Sequence, residues 1–502
     1  MIRISIRAFA AAALIAGAAF HPVSGAAQER PAATARAPAS GILGMLPADS
    51  ITEHTLDAGG ETIAYTATAG TLSLLDQNGE RSAAIFYTAY VRQGAAGETR
   101  PLTFVFNGGP GAASTYLHLG LAGPQAIAFG SGQDGAAATL RPNPDSWLKF
   151  TDLVMIDPVG TGWSRAAKSD KAGEFWSVQA DAQSLAKTIA LYVAKNGSTA
   201  SPKYLLGESY GGFRAAKVAR TLQREQGIFL TCIVMVSPLL ESGLQFGANR
   251  FALGAALQLP SLAAAHLDRT GRFTPDAMAA AERFAMTDYL VTLAGRPPEG
   301  DTGRVFYARL AEISGLPLDT VTRTRGFIRD AYLKQAAAAG EIVSAYDASQ
   351  TSPDPYPESL SEDGPDPVLN GYTRALSGMF VGYARDVLGY RTDMTYQLLN
   401  GEISGQWDWG GRGGRTQASV TGDLRELLAL NPSLTLLVVH GRSDVVTPYG
   451  VSRYVLDHLP QIGRPGRTAL KLYKGGHMFY FDPAMRAAFT ADAAQFYRRA
   501  GL

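Results

Sequence analysis

The stretch Gly207-Glu208-Ser209-Tyr210-Gly211-Gly212, here called the elbow, follows the apolar run Tyr204-Leu205-Leu206 and precedes an amphipathic segment that starts near Phe213. A serine at the apex of a tight strand-to-helix turn needs small residues two positions away on either side, because a Cβ there would collide with the turn. The first amides of the following helix favour an oxyanion beside the serine. This G-x-S-x-G pattern arises easily by chance in a chain with 55 glycines, but its strand and helix setting favours a nucleophilic Ser209.

Short apolar runs typical of buried strands recur along the chain. They lie at residues 102–106, 153–156, 204–206, 230–236, 434–439 and 469–473. Several are followed by a Gly-rich turn or a helical pattern, as in parallel α/β sheets. Residues 61–92 instead alternate in short segments separated by Gly, Asp and Asn, which predicts antiparallel strands and hairpins. We therefore expect an α/β fold with a mostly parallel central sheet and flanking helices.

A long segment, residues 243–430, interrupts this pattern with helix-like stretches and almost no strand signal. The clearest helical stretches are residues 277–293, 302–313 and 370–388. We interpret the segment as a helical cap inserted over the sheet where substrate enters, between a first core part at 51–242 and a second at 431–502. The alternative is an independent helical domain with no part in the site.

The N-terminus has the pattern of an export signal. Arg3 and Arg7 precede an uncharged stretch at residues 8–20, and small residues follow at 24–27. This predicts a signal peptide over residues 1–27, since an Ala-rich run of this length falls short of the roughly 20 residues that span a bilayer. A linker is expected at residues 28–50. The mature protein is predicted to be periplasmic or secreted, with no membrane association after cleavage.

Composition narrows the classes of partner. The 502 residues are 46% hydrophobic and carry a formal net charge of +1, without a long basic run. Nucleic acid is therefore not an expected partner, and a small molecule or peptide is favoured. Cys232 is the only cysteine and lies in an apolar run, so it is expected to be a buried, inert thiol. No cluster has metal-ligand spacing, and neither a metal nor a cofactor is expected.

A nucleophilic serine needs a base and a carboxylate that orients the base, and after such an elbow they follow in the order Ser, Asp, His. Asp444 comes shortly after the apolar run 434–439, and His477 comes after the run 469–473. Both are therefore expected in loops at the carboxyl ends of strands, where doubly wound sheets collect functional groups.

His440 is the one serious rival to His477 as the base. It ends a strand close to Asp444, but it precedes that aspartate and so breaks the expected order. The other histidines lie in the signal peptide, near the start of the chain, in helical patterns or after a Gly-rich loop.

A second Gly-rich element, here called the glycine loop, is Asn107-Gly108-Gly109-Pro110-Gly111-Ala112, directly after the run 102–106. Its backbone amides can supply one oxyanion donor, and the amide of Tyr210 can supply the other. A phosphate-binding loop is disfavoured, because no Lys-Ser or Lys-Thr pair follows the glycines.

Five motifs in one order make the chain resemble the serine carboxypeptidase family, whose members have the α/β-hydrolase fold. The motifs are the glycine loop, Asp157-Pro158-Val159-Gly160-Thr161-Gly162-Trp163-Ser164, the elbow, residues 441–444 and Gly476-His477-Met478. The resemblance implies a catalytic triad of Ser209, Asp444 and His477. It also implies an oxyanion hole formed by the amides of Gly109 and Tyr210.

The resemblance further implies that Asn107, Gly108 and Glu208 hydrogen-bond the C-terminal carboxylate of a peptide substrate. Two bare carboxylates repel, so this binding needs a proton shared with Glu208 and should favour acidic pH. The chain departs from the family at two positions. Leu121 stands where a second glutamate is usual, and Val105 stands where a tryptophan is usual.

These observations leave three functional hypotheses. The first is an exported serine carboxypeptidase-like hydrolase that releases C-terminal residues through an acyl-enzyme. The second keeps the triad but changes the substrate, as a serine esterase or aminopeptidase, because Leu121 and Val105 remove usual recognition groups. The third is a non-catalytic binding protein with the same fold.

Two tryptophans near the end of the helical segment have two possible roles. Trp407 and Trp409 either line the substrate entrance or anchor a packed loop. The sequence does not indicate an oligomeric state.

Overall fold

The computed structural model describes residues 41–94, 99–130, 135–359 and 361–500. The predicted signal peptide and residues 28–40 of the predicted linker lie outside this part. From residue 41 the chain is already part of the folded unit, since Gly41–Met45 forms a 3-10 helix that buries Leu43. Asp49 forms an ion pair of 2.8 Å with Lys195, so the last residues of the predicted linker pack on the core.

Ten of the strands found among the described residues form one sheet, in the order β1-β2-β3-β7-β4-β9-β10-β13-β14, with β8 paired to β3. The strands are β1 Ser50–Asp57, β2 Thr62–Leu75, β3 Arg81–Arg92, β4 Leu102–Phe106, β5 Gln125–Ala128, β6 Thr139–Pro142, β7 Asp152–Ile156, β8 Arg165–Ala166, β9 Lys203–Glu208, β10 Cys232–Val236, β11 Glu341–Val343, β12 Thr351–Pro353, β13 Thr435–Gly441 and β14 Thr468–Tyr473. The remaining strands pair as the hairpins β5-β6 and β11-β12.

The sheet has an antiparallel edge and a parallel body. Strands β1, β2, β3 and β7 pair antiparallel, whereas β7, β4, β9, β10, β13 and β14 run parallel to one another. The six predicted apolar runs are the parallel strands, with ends that differ by at most two residues. The predicted mostly parallel sheet is confirmed, because buried parallel strands read as continuous apolar runs.

Helices connect the strands and cover both faces of the sheet. They are α1 Thr115–Leu117, α2 Val178–Lys195, α3 Tyr210–Thr221, α4 Ser242–Gln245, α5 Ala252–Arg269, α6 Pro275–Phe284, α7 Leu290–Ala294, α8 Gly300–Ser314, α9 Leu318–Arg323, α10 Arg329–Gln335, α11 Pro367–Asp386, α12 Gly401–Gln406, α13 Thr421–Leu430, α14 Tyr449–Asp457 and α15 Pro483–Ala500. Successive residues of a strand point to opposite faces of the sheet and pack in different hydrophobic cores. Leu205 packs in the core with α2, α3 and α13, while Leu206 packs in the core with α11 and α15.

The segment 243–430 contains most of the helices between β10 and β13. The stretch 277–293 was predicted as one helix, but it divides into α6, a π-helix at Ala285–Tyr289 and α7. The segment also holds the short hairpin β11-β12, which its sequence pattern did not predict. Its helices build a third core that includes Val445 and Tyr449 from the loop and helix after β13. In the described part of the chain, no helix combines the length and hydropathy that crossing a membrane requires.

Candidate active site

Ser209 lies between the end of β9 and the start of α3, in a backbone conformation that residues other than glycine rarely adopt. Its φ is 61° and its ψ is −125°. Its amide donates a hydrogen bond to the carbonyl of Val236 at 2.9 Å, and its carbonyl accepts from the amides of Gly212 at 2.9 Å and Leu239 at 3.1 Å. A Cβ at Gly207 would collide with the carbonyl oxygen of Gly211, which is the physical reason for the glycines of the elbow. The serine is thus displayed on a strained turn, a state that surrounding contacts must maintain.

His477 and Asp444 form a buried pair in adjacent loops. Nδ1 of His477 and Oδ2 of Asp444 are 2.8 Å apart, and the two side chains are 3% and 0% exposed. Burial lowers the pKa of His477, but the neighbouring Asp444 carboxylate and the more distant Glu208 outweigh it, so the pKa lies above its ordinary value. The pair therefore has the geometry in which a carboxylate orients an imidazole and stabilises its protonated form.

Further contacts fix both partners of this pair. Oδ1 of Asp444 accepts hydrogen bonds from the amides of Val446 at 2.8 Å and Thr447 at 2.9 Å. The Thr447 hydroxyl lies 2.6 Å from Oδ2 of the same carboxylate. The amide of His477 donates to the carbonyl of Tyr346 at 2.6 Å, and the hydroxyl of Ser237 donates to the carbonyl of His477 at 2.9 Å. Sequence reasoning missed these residues, because none of them stands within a quoted motif.

The glycine loop packs directly against the elbow. A Cβ at Gly108 would lie 2.6 Å from the backbone nitrogen of Tyr210 and 2.7 Å from the carbonyl oxygen of Glu208. Gly109 has a φ of 97° and lines the same cavity as Ser209. The two segments that carry the predicted oxyanion donors are therefore in van der Waals contact, and only glycine permits this approach.

Glu208 is a buried carboxyl beside Ser209, and it is 2% exposed. The side-chain amide of Asn107 donates a hydrogen bond to Oε2, and the Tyr480 hydroxyl donates to the same oxygen at 2.8 Å. Burial raises the pKa of Glu208 to about 7, although His477 and the two donors act in the opposite direction. A carboxyl in this state can keep its proton at mildly acidic pH and share it with a second carboxylate.

Leu121 and Val105, where the chain departs from the family, are both fully buried in the core. The ring of Tyr480 packs so closely on Gly120 that a Cβ there would lie 2.6 Å from Cε2 of the tyrosine. Tyr480 thus reaches Glu208 from beside the position of Leu121. Sequence reasoning missed this tyrosine, and its only sequence signal is its closeness to His477.

One cavity brings together most of the predicted site residues. Ser209, His477, Asn107, Gly108, Gly109, Glu208 and Tyr210 all line it, whereas Asp444 lies behind the histidine. Apolar side chains complete the wall, namely Ala112, Leu239, Phe246, Leu369, Leu399, Val446 and Met478. Trp409 also lines the cavity, while Trp407 packs edge-on against Tyr210 at 5.3 Å. Trp409 is therefore the tryptophan that lines the cavity, and Trp407 is the one that anchors a packed loop.

The other candidate residues lie outside this cavity. His440 is buried, its Nε2 lies 2.8 Å from the Ser452 hydroxyl, and burial lowers its pKa to about 4. Burial raises the pKa of the Cys232 thiol to about 12.

Asp157 in the second motif has a structural role. It accepts hydrogen bonds from the Ser114 amide at 2.8 Å and the Tyr396 hydroxyl at 2.9 Å, and it anchors the segment after the glycine loop. Within the described ranges, no group of three or more His, Cys, Asp or Glu side chains could hold a metal ion.

Comparison with known proteins confirms the family resemblance. Residues 64–240 match the family model for serine carboxypeptidases. This range contains the elbow and the glycine loop, but it ends before Asp444 and His477. No curated protein matches the chain.

Among solved structures, the chain is similar to Kex1Δp, a prohormone-processing carboxypeptidase from Saccharomyces cerevisiae. The two are 16% identical, the alignment covers 87% of this chain and 91% of that chain, and the TM-score is 0.56. A thermostable carboxyl esterase from Bacillus coagulans is 14% identical, with 86% and 99% covered and a TM-score of 0.40. A proline iminopeptidase from Mycobacterium smegmatis is 15% identical, with 89% and 98% covered and a TM-score of 0.35. The likeness to Kex1Δp shows an α/β-hydrolase fold.

Proposed function

We propose that this protein, which resembles serine carboxypeptidases over residues 64–240 and has an α/β-hydrolase fold, is an exported hydrolase that releases C-terminal residues from peptides. The observation that carries the proposal is the position of Glu208. A buried carboxyl that can hold a proton at mildly acidic pH lines the same cavity as Ser209 and is hydrogen-bonded to Asn107. An esterase or an aminopeptidase has no need of such a group at this position.

In the proposed reaction, Ser209 Oγ attacks the carbonyl carbon of the last peptide bond while His477 takes the hydroxyl proton. The new oxygen–carbon bond gives a tetrahedral oxyanion, which collapses as the carbon–nitrogen bond breaks and His477 returns the proton to the leaving amine. Water then attacks the acyl-enzyme by the same route in reverse. The 2.8 Å contact with Asp444 supports this role, because it holds the ring in one orientation.

The oxyanion is proposed to accept hydrogen bonds from the amides of Gly109 and Tyr210. The close packing of Gly108 on the amide of Tyr210 supports this assignment, since it keeps the glycine loop and the elbow at a fixed separation. Tyr210 also begins α3, so its amide is not used within the helix. Donors held in place before the reaction stabilise developing charge without reorganisation.

The terminal carboxylate of the peptide is proposed to bind Glu208, Asn107 and Gly108. Binding requires the proton on Glu208, because a bare carboxylate there would repel the substrate. The apolar wall of the cavity would surround the substrate side chains. Residues 243–430 are proposed to act as a cap, which is supported by Phe246, Tyr346 and Trp409 from this segment lining the cavity.

The proposal is tested with an N-blocked dipeptide that has a free C-terminus, its C-terminal amide and an aryl ester, assayed from acidic to neutral pH. The mature protein should release the last residue from the free acid and leave the amide nearly untouched, and Ser209→Ala should abolish release. Equal cleavage of acid and amide, or ester turnover without any release of C-terminal residues, would favour the esterase or aminopeptidase alternative. Absence of Ser209-dependent labelling by a fluorophosphonate would instead favour a binding protein.

A further inference from the structure

Arg415 is a positively charged side chain that lines the cavity of Ser209 and His477. It lies in the 3-10 helix Gly414–Gln417, in the cap segment between α12 and α13. Its guanidinium carbon is 4.0 Å from the ring centre of Phe246 and 5.6 Å from that of Trp409. Two aromatic contacts therefore hold a solvent-exposed side chain against the cavity wall.

No protein carboxylate neutralises this cation. Among the described residues, Arg415 forms no ion pair. Glu208 is the one carboxyl that lines the cavity, and it is buried and occupied by Asn107 and Tyr480. Stacking uses the flat faces of a guanidinium and leaves its N–H edges free to bind a carboxylate. The charge of Arg415 is thus available to a substrate.

The contacts also indicate which part of a substrate Arg415 would meet. Glu208 is joined to Asn107 and Tyr480, on the side of the nucleophile proposed for the terminal carboxylate. Arg415 instead stands with Trp409, whose ring packs edge-on against Tyr210 with centroids 5.4 Å apart. In the proposed binding mode the terminal carboxylate occupies the Glu208 side, so a carboxylate that meets Arg415 would belong to the residue before the scissile bond.

We propose that Arg415 selects peptides in which the residue before the scissile bond is aspartate or glutamate, by pairing with the side-chain carboxylate. This inference rests on the proposed carboxypeptidase function and names its preferred substrate class. The rings of Phe246 and Trp409 that contact Arg415 carry no charge, so the guanidinium is the group there that distinguishes an acidic from a neutral side chain.

The test compares N-blocked dipeptides that end in leucine and carry Glu, Gln or Lys before it, at about pH 6.5, where a free glutamate side chain is ionised. We expect kcat/KM for the Glu peptide to exceed that for its Gln isostere by about two- to fivefold, the range of an exposed ion pair. Arg415→Gln should remove this difference, and Arg415→Glu should favour the Lys peptide. Arg412→Ala, an exposed arginine of the same loop that does not line the cavity, should keep the preference.

Two outcomes overturn the inference alone. Release of leucine with equal kcat/KM for the Glu and Gln peptides would leave the carboxypeptidase proposal standing without this preference. An equal loss on all three peptides in Arg415→Gln would assign Arg415 to the terminal carboxylate instead of the side chain. Failure of the wild-type protein to release leucine from any peptide would overturn both the proposed function and the inference.

Discussion

The hydroxyl of Tyr480 donates a hydrogen bond of 2.8 Å to Oε2 of Glu208, the residue before Ser209. Both side chains are buried, so solvent cannot replace this donor. The position that usually carries a second glutamate is Leu121, which leaves Glu208 with a neutral donor as its partner. In the proposed carboxylate-binding site, Glu208 would therefore be the one group that titrates.

Tyr480→Phe tests this relationship. The hydrogen bond lowers the pKa of Glu208, so its loss should raise that pKa further and let peptides with a free C-terminus bind at higher pH. We expect the pH midpoint at which KM rises to move upward by roughly half to one unit, the value of one hydrogen bond. Tyr390→Phe is the control, because it removes a buried hydroxyl that has no hydrogen-bond partner. A similar shift in both variants would contradict the prediction.

The pH dependence of wild-type KM follows from the pKa of Glu208, which is raised to about 7. Below this value the carboxyl is protonated and can share its proton with the substrate carboxylate. Above it, KM should rise about tenfold per pH unit as the two carboxylates repel. KM for an ester without a carboxylate should show no such rise. In Glu208→Gln, whose amide cannot ionise, the rise should also disappear for peptides.

Asp444→Asn tests the pairing of Asp444 with His477. An asparagine preserves the shape but favours the wrong imidazole tautomer, so kcat should fall by about 10⁴ with KM little changed. His440→Gln examines the rival base, whose Nε2 is engaged by Ser452, and its kcat per folded molecule should stay within about threefold of wild type. A collapse of kcat in His440→Gln, with activity kept in Asp444→Asn, would reverse the assignment.

Gly108→Ala should separate the two amides proposed as oxyanion donors, those of Gly109 and Tyr210. The added Cβ would stand 2.6 Å from the amide nitrogen of Tyr210, so the glycine loop must move away from the elbow. Loss of one donor lowers kcat by about 10² to 10³. Gly378→Ala is the control, because a Cβ there meets nothing within 4 Å and the residue lies in α11. The comparison is made on kcat for the free-acid dipeptide, and unchanged kcat in Gly108→Ala would contradict the model of the oxyanion hole.

A stability prediction concerns the buried ion pair of Arg214 and Asp181, which joins α3 to α2 at 2.7 Å. Arg214 also donates to the carbonyl of Asn107 and so supports the glycine loop. Asp181→Ala leaves a buried cation without its partner, and the free energy of unfolding in urea should fall by about 3 to 5 kcal/mol. The double variant Arg214→Met with Asp181→Leu should recover part of that loss. If the single and double variants were equally destabilised, the unpaired charge would not be the cause.

Local patterns in the sequence determined much of the fold and the nearest parts of the site. The apolar runs predicted every parallel strand, because a buried strand needs continuous hydrophobic residues. The elbow and the glycine loop were recognisable because tight turns restrict which residues fit. Asp444 and His477 were selected because they stand in the order expected after such an elbow and because both follow apolar runs, whose ends meet at one edge of a parallel sheet. The catalytic roles of Ser209, Asp444 and His477 remain predictions.

Only the tertiary structure decided which distant side chains complete the site. Tyr480 and Glu208 are 272 residues apart, and a tyrosine gives no signal of the partner it will find. The same holds for Arg415, which reaches the cavity because Phe246 and Trp409 hold it there. The hairpin β11-β12 and the division of the 277–293 helix depend on packing within the segment 243–430. Sequence periodicity reports burial along one element, whereas these contacts depend on how separate elements meet.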